Sequence, residues 1–270
     1  MRQPAVAGQF YSSDAKKLRE QIEGCFLHKL GPRRLPEHGE GRIAGAVVPH
    51  AGYMYSGPVA AHAYYELAKY EKPETLIIMG PNHIGMGSGV AVSKDVWKTP
   101  LGEVEVDEDC ADLLWKNCDV VDLDETAQEF EHSIEVQLPF LQYIYDDFKF
   151  VPICMALQDL ETSREVGEAI SKMKGALVLA SSDFTHYEPA ADAKAKDEPA
   201  IQRVLELDEG GFVQTVYEGN MSICGSGPIA ACVSALKGKA EKGELLKYAT
   251  SGDITGDHSK VVAYAAIAFR

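Results

Sequence analysis

Three short apolar runs in this chain each end in a histidine: Ile43-Ala-Gly-Ala-Val-Val-Pro-His50, Leu76-Ile-Ile-Met-Gly-Pro-Asn-His83 and Leu177-Val-Leu-Ala-Ser-Ser-Asp-Phe-Thr-His186. Imidazoles gathered in one place can hold a metal ion or carry out acid/base chemistry. Parallel strands flanked by helices bring their carboxyl ends to one edge, so histidines far apart in sequence can converge there. Taken singly, each has a plainer use: His50 can bond a loop carbonyl, and Pro81-Asn82 suits a turn. Gly52 lets backbone approach a ligand near His50, and Asn82 offers a neutral group to orient a bound substrate beside His83.

Other polar groups could share the same edge. Asp183 and His186 read as a carboxylate–imidazole pair in which the acid fixes the ring tautomer and raises its basicity. Alternatively Ser181 or Ser182 is a nucleophile with His186 as base, although no G-x-S-x-G elbow surrounds either serine. His132 stands three residues after Glu129 and three before Glu135. On a helix these share a face, where Glu135 could orient His132 as a pocket group, or where the cluster is simply an acidic helix start. Cys224 precedes Gly225-Ser-Gly-Pro228 and an apolar helix, whose dipole would lower the thiol pKa. The other use of such a cysteine is as a small buried hydrophobe.

The elements that must position these groups follow from periodicity. After a helix opening near Ala15 and a polar, Pro/Gly-broken mobile loop over 31–42, strand-length runs at 43–48, 75–79 and 89–93 alternate with a helix from Pro58 to Tyr70. Further strands are expected near 149–154, 176–181 and 260–269, with helices near 107–117, 129–145, 162–173, 199–207 and 228–238. That alternation predicts an α/β fold with a mostly parallel or mixed sheet between helices. The stretch 188–199 reads as a surface loop able to cover a site. No repeat or linker divides the chain, so 1–270 reads as one domain.

A formal net charge of −15 argues against nucleic acid or an anionic membrane as partner. No apolar run is long enough to span a bilayer, no export signal opens the chain, and six scattered cysteines lack a C-x-x-C, so a cytoplasmic location with reduced thiols is expected.

Taken together, Ala5-Val-Ala-Gly-Gln-Phe-Tyr11, Val48-Pro-His-Ala-Gly-Tyr53, Gly80-Pro-Asn-His83, Glu131-His-Ser-Ile-Glu-Val-Gln-Leu-Pro139, Ser182-Asp-Phe-Thr-His-Tyr187 and Cys224-Gly-Ser-Gly-Pro228 resemble the Memo family nearly end to end. That resemblance implies the fold of the class III extradiol dioxygenases, whose non-haem Fe(II) is held by two histidines and a glutamate. Carried over, His50 and His83 are ligands, Cys224 replaces the carboxylate, His186 is the acid/base histidine, to which the residue reading adds Asp183 as partner, and His132 and Asn82 line the pocket. Fe(II) is then the first expectation, with copper or zinc as alternatives because a thiolate suits them as well. The implied activity is metal-dependent redox or oxygenase-type chemistry on a small molecule. A non-catalytic module binding peptides of phosphotyrosine type is the alternative, and microbial relatives imply a link to a radical-SAM protein.

Overall fold

The computed structural model describes residues 1–39, 41 and 43–270. In chain order its strands are β1 (Gly45–Val48), β2 (Thr75–Pro81), β3 (Val90–Val92), β4 (Trp97–Thr99), β5 (Gly102–Val106), β6 (Asp122–Leu123), β7 (Lys149–Met155), β8 (Ala176–Ser181), β9 (His186–Glu188), β10 (Gly243–Thr250) and β11 (Val261–Phe269). The helices are α1 (Ala15–Leu27), α2 (Gly57–Ala68), α3 (Glu108–Asn117), α4 (Leu138–Ile144), α5 (Leu160–Ser171), α6 (Ala190–Leu205), α7 (Glu209–Glu218), α8 (Ser226–Leu236) and α9 (Gly252–Thr255). A 3-10 turn, Glu135–Gln137, leads into α4.

The centre of the sheet is four parallel strands in the order β1-β8-β2-β7. β1 and β2 are buried along their whole length, as expected of parallel strands covered on both faces. β11 and then β10 extend the sheet antiparallel beyond β1, while β3, antiparallel to β7, and then β6 extend it on the other side. From β1 through α2 to β2 the chain crosses β8 in one direction. From β7 through α5 to β8 it crosses β2 in the other. Right-handed crossovers in opposite directions put α2 and α5 on opposite faces. α1 and α4 pack with α2, and α7 and α8 with α5. The result is the mixed α/β fold with a large open sheet between helices that the alternation implies.

Aspartates open four helices. Asp14, Asp107, Asp159 and Asp208 each accept a backbone N–H from the first turn of α1, α3, α5 and α7. Two expectations fail. Residues 188–199 are not a covering loop but largely helix, because Ala193, Asp197, Ala200, Ile201 and Val204 form a buried stripe at helical spacing in a segment rich in Ala and Lys. The helix expected over 129–145 begins only at Leu138, and residues 129–134 are irregular for a reason that belongs to the site. The expected mobile loop over 31–42 has no helix or strand among its described residues, and Glu40 and Arg42 lie outside them. No helix among the described residues is long and apolar enough to cross a membrane.

Candidate metal centre

The register of the central strands aligns the groups that matter. Val48 pairs with Ser181 and Met79 with Ala180, so the chains leaving β1, β2 and β8 emerge side by side. His50 and Asp183 each stand two residues past the Val48–Ser181 pair, and the His50 N–H donates to Asp183 Oδ1 at 2.8 Å. His83 stands two residues past the end of β2. Ser133 and Ile134, directly after His132, are laid against β2 at Gly80, where a Cβ would overlap Ser133 Oγ and come within 2.9 Å of Ile134 Cγ1. A side chain at position 80 would crowd the two residues that follow His132.

Glu131 organises two of the imidazoles. Its carboxylate is fully buried and accepts the His83 N–H (2.6 Å), His83 Nδ1–H (2.9 Å), His132 N–H (2.8 Å) and Ser133 N–H (2.8 Å). Burial opposes its charge, yet the hydrogen bond and charge of His83, the charge of His132 and the Ser133 N–H hold the carboxyl at about 2. A carboxylate that takes the amides of the next two residues leaves them none to give to a helix, which is why 129–134 does not continue α4 backwards. The expected helical face of Glu129, His132 and Glu135 therefore does not exist. Glu135 points instead to Arg2 and Tyr11.

Ser181 settles the tautomer of His50. The Ser133 carbonyl can only accept, so at 2.6 Å it takes the Ser181 hydroxyl proton. Gln137 Nε2 donates to the same hydroxyl oxygen at 2.8 Å, and His50 Nδ1, 2.9 Å away, must also be a donor. Nε2 of His50 is left with its lone pair facing Cys224 Sγ at 3.2 Å. Burial first, and then the neighbouring His132, His83 and His186, hold His50 neutral, its pKa well below the usual imidazole value. His132 is lowered to about 4 by burial, with His83 adding to the effect and Glu131 opposing it. Uncharged imidazoles are the form that binds metals.

His50, His83 and His132 form the one group of three or more His, Cys, Asp or Glu side chains among the described residues whose ligating atoms all lie within 4.8 Å of one another. Their ring centroids are 5.1, 5.4 and 4.5 Å apart. His132, expected to line the pocket, thus joins the ligand candidates. The donor chemistry fits a metal: nitrogen atoms converge, and the Nδ1 atoms of His50 and His83 are held by Ser181 and Glu131, as ligating imidazoles are usually held.

Cys224 is outside that trio but touches it through His50. Its Sγ also accepts the Asp183 N–H at 3.2 Å. Burial, and then the Asp183 carboxylate, push the thiol pKa above its usual range, so burial outweighs the lowering expected from the helix end. Gln158 fixes this turn, its amide donating to the Cys224 carbonyl at 3.0 Å and accepting the Gly227 N–H at 2.8 Å. The expected Asp183–His186 hydrogen bond is not made. Asp183 is buried under His50, its carboxyl raised to about 6 by burial, while His186 Nδ1–H donates to the Ser222 carbonyl at 2.8 Å. That carbonyl, not Asp183, sets the His186 tautomer and leaves Nε2 free. The charge of His186 still reaches both His50 and Asp183. Ser182 is buried, its hydroxyl donating to the Asp183 carbonyl and accepting the Gly225 N–H, so it is not poised as a nucleophile. Both ends of the Asn82 amide stitch the loop after β2, to Met86 O, Ile84 N and Gly85 N.

Nothing in the spacing singles out Glu131, Ser181 or Ser222 for these roles. For Glu131 a local clue exists, an acid directly before His132.

The chain matches the Memo-like protein family over residues 2–268. It is 56% identical to a MEMO1 family protein of Methanopyrus kandleri, covering 100% of this chain and 99% of that one. It is 51% identical to a MEMO1 family protein of Methanocaldococcus jannaschii, covering 98% and 97%. Among solved structures, an uncharacterized protein from Escherichia coli K12 is similar with a TM-score of 0.52 and 14% identity, over 85% of this chain and 100% of that one, a likeness of fold alone. The order of motifs, the sheet and the histidine cluster therefore belong to a member of the Memo-like family.

Proposed function

We propose that the protein is a metal-dependent redox or oxygenase-type enzyme acting on a small molecule at the carboxyl edge of the sheet. The observation that carries this reading is the convergence of His50, His83 and His132 within 4.8 Å, with Nδ1 of His50 and of His83 already committed elsewhere. Cys224 is a further donor, because its Sγ lies 3.2 Å from His50 Nε2 and an ion bonding nitrogen and sulfur at about 2.0–2.3 Å can touch both. A bound metal would supply Lewis acidity and, if iron or copper, one-electron redox chemistry. Iron(II) is the first expectation, with copper and zinc as alternatives. His186 takes up and returns a proton at Nε2, since Nδ1 is committed to Ser222. Asp183 holds the His50 backbone and the Cys224 loop in register. Six free thiols suit a reducing cytoplasm.

Metal analysis of anaerobically purified protein tests this. The expected result is near-stoichiometric metal in the wild type and its loss in both His50→Ala and Cys224→Ser. A wild type that is metal-free and binds no added iron, copper or zinc would overturn the reading.

One observation favours a second reading, a peptide-binding module. Met54 and Met86 are exposed on the loops that carry His50 and His83, and Tyr187 is exposed beside His186 in β9. Peptide binding that survives His50→Ala would support it over the enzyme.

A further inference from the structure

The segment from Arg2 to Tyr11 is bound into the metal centre by a buried network. Arg2 is 6% exposed, and its guanidinium lies 4.0 Å over the Trp97 ring. Its Nε donates to the Gln128 carbonyl (2.7 Å), Nη2 to the Glu131 carbonyl (2.6 Å) and Nη1 to Glu135 Oε2 (2.7 Å). Glu135, fully buried, also accepts Ala5 N–H (2.7 Å), Val6 N–H (3.0 Å) and Tyr11 O–H (2.5 Å). The same segment sets the Phe10 ring 4.8 Å from the His132 ring.

A buried ion pair is weak evidence for stability, since well-packed apolar side chains often do as well. What a guanidinium adds is direction, because its donors leave in a fixed plane. Here that plane ties Gln128, Glu131 and Glu135 to one point. Those residues bracket the irregular stretch bearing His132, which has no helix or strand of its own to hold it. We propose that Arg2 and Glu135 are positioning residues for the metal centre: by fixing the main chain at 128, 131 and 135 they set where the Glu131 carboxylate and the His132 ring stand, and so set metal affinity. This rests on the metal-binding reading above.

The test is Zn²⁺ affinity of the full chain, measured by competition with a chelating dye. Arg2→Lys keeps the ion pair with Glu135 but cannot reach both carbonyls, and Arg2→Met/Glu135→Gln removes both buried charges together. In either folded variant affinity is expected to fall at least about tenfold, the range seen when groups that orient ligands are lost. Val204→Ala, a core truncation in α6, is expected to lower stability and leave affinity unchanged. The wild type provides a readout that needs no variant. Coupling is reciprocal, so saturating Zn²⁺ is expected to slow hydrogen exchange at the Ala5 and Val6 amides more than along β10 at the far edge of the sheet. Wild-type affinity in a folded Arg2 variant, or exchange at Ala5 and Val6 indifferent to Zn²⁺, would overturn the proposal while leaving the metal centre intact. A wild type that binds no metal at all would overturn both.

Discussion

Glu131 holds His83 at two points, one carboxylate oxygen accepting its backbone N–H at 2.6 Å and the other its ring Nδ1–H at 2.9 Å. Two charge-assisted bonds to one residue fix both the tautomer and the rotation of the ring. Glu131→Gln keeps the size but removes the charge and turns an NH₂ group toward donors. Metal affinity is expected to fall about 10–100-fold. Titration with Zn²⁺ checks this, and equal affinities would mean that the carboxylate does not orient His83.

The metal-free protein should lose stability on mild acidification. His132 has a folded pKa of about 4 against an ordinary 6.5, so between these values the unfolded chain binds the extra proton. Stability is therefore full above about pH 6.5 and drains as pH falls toward 4, by up to about 3 kcal/mol for this group. Asp183, raised to about 6, takes up a proton in the folded state over the same interval and offsets part of the loss. His132→Gln is expected to flatten the dependence and Asp183→Asn to steepen it. Urea unfolding between pH 4 and 7 distinguishes them, and parallel curves for all three proteins would refute the assignment.

The strand ends at Val48, Pro81 and Ser181 were legible because buried parallel strands are continuous apolar runs, and histidines just past them stand out. The surroundings of His132 were not, because i,i+3 spacing of Glu129, His132 and Glu135 is a local pattern that a helix would satisfy. The competing bonds come from far away: His83 is 48 residues from Glu131, and Arg2 is 133 from Glu135. The short spacing of Asp183 and His186 misled in the same way, since the partner of His186 is Ser222, 36 residues on. Register brought Asp183 to His50 instead. The turn at Cys224 was legible from its glycines and proline, but the balance between dipole and burial at its thiol was not, because depth below the surface has no local sequence mark.

Gly80→Ala should damage binding more than folding. Its Cβ would overlap Ser133 Oγ and crowd Ile134, so the expected response is a shift of these two residues, and with them the adjoining His132, away from β2. Overpacking of this kind costs about 1–3 kcal/mol. The expected outcome is a folded protein, less stable by that amount, with metal affinity reduced at least about tenfold through displaced His132. Unchanged affinity at reduced stability would show that the segment relaxes without disturbing the imidazoles.

Cys224 should be a slow nucleophile until its surroundings change. Its thiol is held protonated by burial and by Asp183, whereas a free cysteine ionises near pH 8.5. Alkylation by iodoacetamide at pH 7.5 in metal-free protein is accordingly expected to run at least about tenfold slower at Cys224 than at a peptide cysteine, the thiolate being the reacting form. Asp183→Asn removes the nearest negative charge and should speed the reaction, although burial, the larger cause, remains. Bound Zn²⁺ should block it, because a sulfur in contact with the ion is no longer free to attack. Site-resolved mass spectrometry measures all three rates. Fast alkylation of the metal-free wild type would place a thiolate at this position and favour a nucleophilic role for Cys224 over ligation.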